Sequence, residues 1–225
     1  MNLNQCHCVV TGASGATGTA IRTHLLEQGA TVTGTLRPMN ETQALKELNP
    51  GDFQIEMDPL DPKSIASAIH QITRKFQQIH VWVNVIGGFH MGEGIEHSPH
   101  SVWESMYAQN FLTALNCTQA ILPHFKKNNA GRLINFGSVA VAEGMAHAGP
   151  YLTSKAAVHA LSKATASELN PDITCNAILP GIIDTKANRH AMPDADTSQW
   201  VTPDRIAEQV MAFIQGSKNG ELVVL

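Results

Sequence analysis

The chain has 225 residues, of which 43% are hydrophobic and 15% are charged, with a formal net charge of −4. This length favours one domain with its own core, and the composition excludes a disordered chain, a collagen-like repeat and a charged coiled coil. The negative charge argues against nucleic acid or an anionic membrane as a partner, and no apolar run approaches the roughly 18 residues of a membrane span.

The chain begins with a short polar segment that leads into a strand. Residues 1–5 lack the basic start and the apolar stretch of a signal peptide, so we expect a cytoplasmic protein. Residues 6–10 predict a strand, and because consecutive strand residues point to opposite faces, Cys6, His7 and Cys8 predict no metal site. We expect the four cysteines of the chain to be reduced, buried thiols.

A glycine-rich turn lies between this strand and a helical stretch that ends near Gln28. Such a turn lets backbone N–H groups and the amino end of a helix approach a pyrophosphate, although tight turns also need glycine for other reasons. Its position after the first strand, early in a strand–helix–strand unit, favours dinucleotide binding. The residues expected to hold the cofactor here are Gly12, Ser14, Gly15, Ala16, Thr17 and Gly18.

Strands and helices alternate along the rest of the chain. Further strands are expected at residues 30–36, 53–57, 81–85, 132–136, 173–178 and 221–225. Helices are expected at residues 62–76, 101–126, 151–169 and 203–215. The alternation predicts the α/β class: a single Rossmann-type, doubly wound domain over residues 1–225, with a parallel seven-stranded sheet and helices on both faces. Ligands of such a sheet bind beyond the carboxyl ends of its strands.

The end of the second strand indicates which dinucleotide binds. An acidic side chain there would accept from a ribose 2′-hydroxyl, but the strand ends at Arg37, whose guanidinium suits a 2′-phosphate. We therefore expect NADP(H) as the preferred cofactor and NAD(H) as the alternative; a solvated loop charge is the other explanation for Arg37. Asp58, after the third strand, could accept from the adenine amino group or form an ordinary turn.

Ser138, Tyr151 and Lys155 form the strongest candidate constellation. Tyr151 and Lys155 are four residues apart, so they share one face of a helix. A phenol has an ordinary pKa of about 10, which a neighbouring ammonium and a cationic nicotinamide ring would lower toward neutrality. Ser138, just past a strand, could hydrogen-bond a substrate carbonyl oxygen. A tyrosine and a lysine at this spacing also occur by chance on many helices, so the pair alone decides nothing.

With these residues in place, the whole chain resembles the short-chain dehydrogenase/reductase family. Ser138 lies thirteen residues before Tyr151, as the family's serine does. The other matching residues are Thr11, Gly12, Asn110, Lys155, Asn176, Pro180, Gly181 and Thr185.

The resemblance implies roles for the matching residues. It implies that Tyr151 is the catalytic acid/base and that Lys155 binds the nicotinamide ribose and lowers the tyrosine pKa. It further implies that Ser138 orients the substrate carbonyl and that Asn110 supports a proton-relay water. The cofactor contacts it implies beyond the glycine turn are Val85, Gly87, Tyr151, Lys155, Pro180, Gly181, Ile183 and Thr185.

Two motifs depart from the usual family pattern. Ala16 stands where most members have the middle glycine, and residues 85–88, Val-Ile-Gly-Gly, replace the usual Asn-Ala-Gly. Both features, and the segment after the sixth strand, are similar to the dihydropteridine reductase branch of the family. Against that branch stand Ser138 and Asn110, which it does not share, and Arg37, which replaces its NADH-binding acid.

Together these observations predict an oxidoreductase that transfers hydride between NAD(P)(H) and a small-molecule carbonyl or alcohol. One alternative is a dihydropteridine-type flat-ring reductase, and another, of a different class, is a non-catalytic dinucleotide-sensing protein. The resemblance also implies a substrate lid at about residues 186–202 and a homodimer or homotetramer. Phe89 and Met91 are candidates for the substrate pocket, with ordinary packing as the rival explanation.

Overall fold

The computed structural model describes residues 1–38 and 44–225, which form one eight-stranded sheet with helices on both faces. The strands are β1 (His7–Val10), β2 (Thr31–Leu36), β3 (Lys46–Asn49), β4 (Asp52–Glu56), β5 (Val81–Asn84), β6 (Gly131–Phe136), β7 (Ile173–Leu179) and β8 (Leu222–Val224). Their order across the sheet is β3-β4-β2-β1-β5-β6-β7-β8. The chain crosses from one half of the sheet to the other between β4 and β5, which places a crevice at the carboxyl ends of β1 and β5.

The parallel part of the sheet is as predicted, and the strand count differs by one. Seven of the strands in the described residues run parallel, and the eighth, β3, pairs antiparallel with β4 at one edge. The sequence did not indicate β3 because all four of its residues are exposed, so they show no alternation of apolar and polar side chains. Gly51, at φ 80°, makes the tight turn into β4.

Two helical layers cover the sheet. The helices are α1 (Ala16–Glu27), α2 (Pro62–Phe76), α3 (His100–Met106), α4 (Thr113–Asn128), α5 (Ala140–Glu143), α6 (Gly149–Ser167), α7 (Lys186–Ala191) and α8 (Pro203–Gln215). Alternate residues of β1 enter different cores: Cys8 and Val10 pack with α1 and α8, and Val9 packs with α2 and α4. Helices cover both faces, so every residue of the central strands β1, β5, β6 and β7 is buried, as in a doubly wound sheet.

The helix predicted at residues 101–126 is interrupted in the structure. A π-helical turn, Tyr107–Leu112, separates α3 from α4. The sequence pattern did not show this because a single wide turn keeps the chain helical and shifts the apolar positions after it by only one residue. Such turns are frequent at functional sites, and this one contains Asn110. Among the described residues, no helix is both long and apolar enough to cross a membrane.

Candidate active site

The glycine turn, residues 11–18, closes tightly on itself and on β2. Gly12 adopts φ +64°, a conformation that favours glycine. A Cβ on Gly18 would collide with the Gly12 carbonyl oxygen and lie 2.9 Å from the Ala13 Cα. Gly34 of β2 is equally constrained, because a Cβ there would lie 2.6 Å from the Ala13 Cβ. These glycines let β1, α1 and β2 approach one another closely.

The amino end of α1 is open toward the carboxyl edge of the sheet. Ser14, Gly15 and Ala16 are exposed, and no side chain caps the helix at Gly15. Among the described residues other than its chain neighbours, a Cβ on Gly15 would meet one atom within 4 Å, the Gly12 carbonyl oxygen at 3.5 Å, so there is room beside this end of the helix. The exposed end offers the N–H groups of the first helical turn, Thr17 and Gly18 included, to an anion. The turn therefore has room and N–H groups for the pyrophosphate that the sequence predicts at this position.

The two residues expected near the adenosine have different environments. Arg37 is exposed immediately beyond the end of β2. Asp58 closes a turn before α2: its Oδ1 accepts from the Leu60 N–H at 2.9 Å, and its own N–H donates to the Ser64 Oγ at 2.9 Å. The structure thus gives Asp58 the turn-forming role that the sequence left open beside adenine recognition.

The segment after β5 joins the glycine turn to the rest of the site. The Val85 N–H donates to the Thr11 Oγ1 at 3.0 Å, which holds this segment beside the turn. A Cβ on Gly87 would lie 2.7 Å from the Asn110 Oδ1 and 3.0 Å from the Lys155 Nζ. Gly87 is therefore needed where the backbone passes between these two polar groups.

Ser138, Tyr151 and Lys155 come together as the spacing predicted. Ser138 is buried in the loop after β6, and its side chain is hydrogen-bonded to the Tyr151 phenol. Tyr151 and Lys155 lie on successive turns of α6. The Lys155 Nζ donates to the Phe136 carbonyl oxygen at 2.9 Å, which directs the ammonium to the carboxyl end of β6.

Burial determines the charge states of these groups. It raises the pKa of the Tyr151 phenol above its ordinary value, and the hydrogen bond with Ser138 opposes that shift. Burial also lowers the pKa of Lys155 from 10.5 to about 8. For Tyr151, burial of a phenolate is the largest of these influences, and it opposes the lowering expected from the ammonium and a bound nicotinamide ring.

Asn110 is buried in the π-helical turn and is fully engaged with its neighbours. Its Oδ1 accepts from the Gly88 N–H at 2.8 Å, and its Nδ2 donates to the Gly88 carbonyl oxygen at 3.1 Å and to the Ser154 Oγ at 2.9 Å. The carboxamide therefore fixes the segment after β5 against α6. This explains why a polar side chain is buried there, and it adds a positioning role to the one that the family resemblance implies.

The residues after β7 form the far wall of the crevice. The Val139 N–H donates to the Pro180 carbonyl oxygen at 3.2 Å, and the Gly181 N–H donates to the Leu225 carbonyl oxygen at 2.9 Å. Ile183 pairs with Val201 in an isolated parallel bridge. Thr185 caps α7 through its Oγ1, which accepts from the Asn188 N–H at 3.1 Å. The threonine expected to hold a carboxamide thus also begins the helix of the expected lid.

Exposed apolar side chains lie on the loops that follow β5, β6 and β7. The Phe89 ring lies edge-on to the Tyr151 ring with centroids 4.9 Å apart, and it remains 59% exposed. Four more large apolar side chains are exposed on these loops: Met91, Ile95, Met145 and Ile182. We call Phe89 and these four residues the apolar mouth.

Besides Ser154, sequence reasoning missed His159, which also contacts this site. The His159 Nε2 accepts from the Ser138 backbone N–H at 3.1 Å. Its position four residues after Lys155, and eight after Tyr151, is a signal that could have found it. The described part of the chain contains no cluster of three or more His, Cys, Asp or Glu side chains suited to a metal ion.

Comparisons with known proteins identify the family to which the chain belongs. The family model described as short chain dehydrogenase matches residues 7–196. An uncharacterized oxidoreductase of Bacillus subtilis, YxjF, is 30% identical over 208 residues, which cover 90% of this chain and 80% of that protein. The 3-oxoacyl-(acyl-carrier-protein) reductase FabG of Escherichia coli is 29% identical over 196 residues, which cover 86% of this chain and 80% of that protein.

Solved structures share the fold over nearly the whole chain. The ligand-free aldohexose dehydrogenase AldT of Thermoplasma acidophilum has a TM-score of 0.85 at 24% identity, covering 99% of this chain and 93% of that one. The NADP-bound structure of ElxO has a TM-score of 0.88 at 20% identity, covering 97% of this chain and 96% of that one. With a family match that extends from β1 past α7, the chain belongs to the short-chain dehydrogenase family of oxidoreductases.

Proposed function

We propose that this protein transfers hydride between NAD(P)(H) and a small-molecule carbonyl or alcohol, with Tyr151 as the acid/base. The observation that carries the proposal is the arrangement at the carboxyl edge of the sheet. The Tyr151 phenol is hydrogen-bonded to Ser138, and Lys155 lies one helical turn away, on a helix that faces the crevice. A phenol, a hydroxyl and an ammonium in this order are suited to proton transfer at a substrate oxygen.

The residues present fit a dinucleotide. The open amino end of α1 supplies N–H groups for the pyrophosphate, and the described residues leave room beside Gly15. The segment around Gly87 and the buried ammonium of Lys155 lie together next to Asn110, where the ribose of the reactive ring would be held. The nicotinamide, when bound, supplies or accepts the hydride.

The chain's own groups move the proton. Burial keeps the Tyr151 phenol protonated at neutral pH, which is the form that donates to a carbonyl oxygen during reduction. Ser138 hydrogen-bonds the same oxygen and holds it within reach of the phenol. Lys155 has a pKa of about 8, so at pH 7 it is mostly an ammonium and stabilises the phenolate that remains after donation.

Arg37 supports NADP(H) over NAD(H) as the preferred cofactor. Its guanidinium is exposed at the end of β2, at the position where the ribose of the adenosine half would lie, and a guanidinium pairs well with a phosphate. Residues 34–37, Gly-Thr-Leu-Arg, offer no carboxylate to a free 2′-hydroxyl.

The apolar mouth supports a substrate with an apolar substituent next to its carbonyl group. Phe89 lies in ring contact with the phenol yet is more than half exposed, so covering it with substrate would remove apolar surface from water. The FabG relatives reduce 3-oxoacyl groups, so a 3-oxoacyl thioester is a candidate of this type. We propose that residues 186–202 act as a lid over it, and that the protein assembles as a homodimer or homotetramer.

The direct test is oxidation of NADPH and NADH by the purified protein with a panel of carbonyl compounds. The panel contains a small ketone, an aromatic ketone, a 3-oxoacyl thioester and a quinonoid dihydropteridine. We expect turnover with NADPH and with at least one bulky carbonyl. Turnover confined to the dihydropteridine would establish the flat-ring reductase instead. Binding of NADPH without turnover across a broad carbonyl panel would contradict the proposal and favour a dinucleotide sensor.

A further inference from the structure

His159 lies on α6 one turn beyond Lys155, on the face that carries Tyr151. Its Nε2 accepts the backbone N–H of Ser138 at 3.1 Å, and the Lys155 Nζ donates to the carbonyl oxygen of Phe136 at 2.9 Å. Two consecutive turns of α6 therefore bind the backbone at the end of β6. Lys155 binds the Phe136 carbonyl oxygen, and His159 binds the Ser138 N–H two residues later.

The backbone at Gly137 leaves room for the His159 imidazole. A Cβ on Gly137 would collide with the His159 ring and with the Leu179 side chain, so only glycine lets the ring approach this backbone. The Ser138 side chain hydrogen-bonds the Tyr151 phenol from the residue that His159 holds. The His159 imidazole thus binds the backbone of Ser138, the residue whose hydroxyl is hydrogen-bonded to the Tyr151 phenol.

We propose, building on the function proposed above, that His159 is a positioning residue for hydride transfer. By holding the Ser138 backbone N–H, it fixes the Ser138 hydroxyl in the place where a substrate oxygen is shared with Tyr151. His159 does not itself reach the reacting atoms. Its contribution is alignment, and an error of about 1 Å in a group that aligns the substrate can cost about 100-fold in rate.

This role requires a neutral imidazole. A ring nitrogen that accepts a hydrogen bond carries no proton, so protonation of His159 removes the acceptor from the Ser138 N–H. Burial and the positive charge of Lys155 on the same helix lower the pKa of His159 below 6.5, and within the described chain Lys155 is the charge that acts on it. The neighbours that close on the ring from β6 and β7, Gly137 and Leu179, carry no charge. Acidification below that pKa should therefore release Ser138.

Two substitutions separate positioning from folding. His159→Leu fills a similar space without an acceptor, whereas His159→Gln places the Oε1 near the Nε2 position and accepts at every pH. Lys163→Gln, an exposed change one turn further along α6, is the matched control. We expect His159→Leu to lower kcat by about tenfold to 100-fold with little change in NADPH affinity. His159→Gln should recover most of kcat and lack the acidic decline of kcat that we expect of the wild-type protein below the pKa of His159.

The contrary results are distinct. Wild-type kcat in a folded His159→Leu protein would overturn the inference, as would an acidic decline that persists unchanged in His159→Gln. Hydrogen exchange of the Ser138 amide is the readout that does not depend on turnover. A wild-type amide that is protected, and loses protection in His159→Leu but not in Lys163→Gln, supports the inference even where no carbonyl substrate is turned over. An amide that is unprotected in the wild type would overturn it, whatever the outcome of the carbonyl assay.

Discussion

The Lys155 ammonium and the Phe136 carbonyl oxygen are joined by a buried hydrogen bond of 2.9 Å. The single bond does not fully offset the loss of water around the ammonium, and burial lowers the pKa of Lys155 from 10.5 to about 8. The protein therefore maintains a destabilising charge next to its candidate catalytic phenol. Strain of this kind is common where a site is arranged for chemistry rather than for stability.

We predict that Lys155→Met raises the stability of the protein at pH 7 while abolishing turnover. The difference between a pKa of 10.5 and one of about 8 corresponds to about 3 kcal/mol of unfolding free energy, and the lost hydrogen bond subtracts about 1 kcal/mol. Because the folded-state pKa is the lower one, the penalty in the wild type is complete below pH 8 and vanishes as the pH rises through 10.5. Denaturant unfolding of both proteins at pH 7 and pH 10 measures it.

A variant that is less stable than the wild type at pH 7 would show that burial of this ammonium carries no net cost. If Lys155→Met is more stable than the wild type by as much at pH 10 as at pH 7, the gain in stability does not come from removing the charge.

The acid limit of stability should depend on His7. This ring is buried, stacks on Phe76 with centroids 4.0 Å apart and has its Nε2 3.0 Å from the Thr33 Oγ1. Burial, with a smaller effect of His80, lowers its pKa from 6.5 to about 3. Below pH 6.5 the His7 imidazole is protonated in the unfolded chain, whereas in the folded protein it stays neutral down to about pH 3. The free energy of unfolding should therefore fall by about 5 kcal/mol between those values from this residue.

His7→Phe keeps the ring stack and removes the titration. We expect its free energy of unfolding to be about 1–2 kcal/mol lower than that of the wild type at pH 7, because the Thr33 hydroxyl loses its partner. That free energy should decline less steeply than in the wild type as the pH is lowered. Unfolding free energies measured at intervals between pH 4 and pH 7 give the two slopes. Equal slopes would rule out His7 as the main acid-sensitive group.

Two neighbouring glycines should respond to alanine in opposite ways. Gly15→Ala has room on the protein side and should change stability by less than about 1 kcal/mol, while the added methyl group blocks the pyrophosphate and weakens NADPH binding. Gly18→Ala collides with the Gly12 carbonyl oxygen and should destabilise the fold by about 2–4 kcal/mol. Thermal unfolding and NADPH titration of both variants separate the effects. Unimpaired NADPH binding by Gly15→Ala would argue that the turn is a structural corner only.

Phe89→Ala should change which substrates are accepted. The side chain is 59% exposed, so stability should change by less than about 0.5 kcal/mol. The KM for an aromatic ketone should rise about tenfold, because the substrate loses apolar contact, whereas that for a small aliphatic ketone should stay the same. Steady-state kinetics with the two ketones test this, and Leu48→Ala, an exposed apolar change on the edge strand β3, is the control. Equal changes for both ketones would remove Phe89 from the substrate pocket.

The sequence predicted those parts of the molecule in which burial leaves a pattern of apolar residues. β5, β6 and β7 are buried on both faces and are therefore rich in apolar residues, and α2 has a regular apolar stripe that includes Ile65 and Ile72. β3 could not be predicted in this way, since an edge strand with every side chain in solvent has no pattern to detect.

The candidate site was likewise predicted only where residue type and spacing are enough. Spacing on one helix was enough to bring Tyr151 next to Lys155, and its position after a strand brought Ser138 to the same edge. The direction of the Tyr151 pKa shift depends on burial. The hydrogen bond that the Ser138 N–H donates to His159 depends on a close approach at Gly137. Both are three-dimensional properties that residue types and spacing do not specify.

The most direct test of the account is Tyr151→Phe, measured for turnover and for cofactor affinity in the same preparation. The substitution removes one hydroxyl and keeps the ring contact with Phe89. We predict NADPH affinity close to that of the wild type and a kcat lower by about 100-fold or more, because the proton donor is gone. Wild-type turnover in a folded Tyr151→Phe protein would contradict the central claim that this phenol is the acid/base of the reaction.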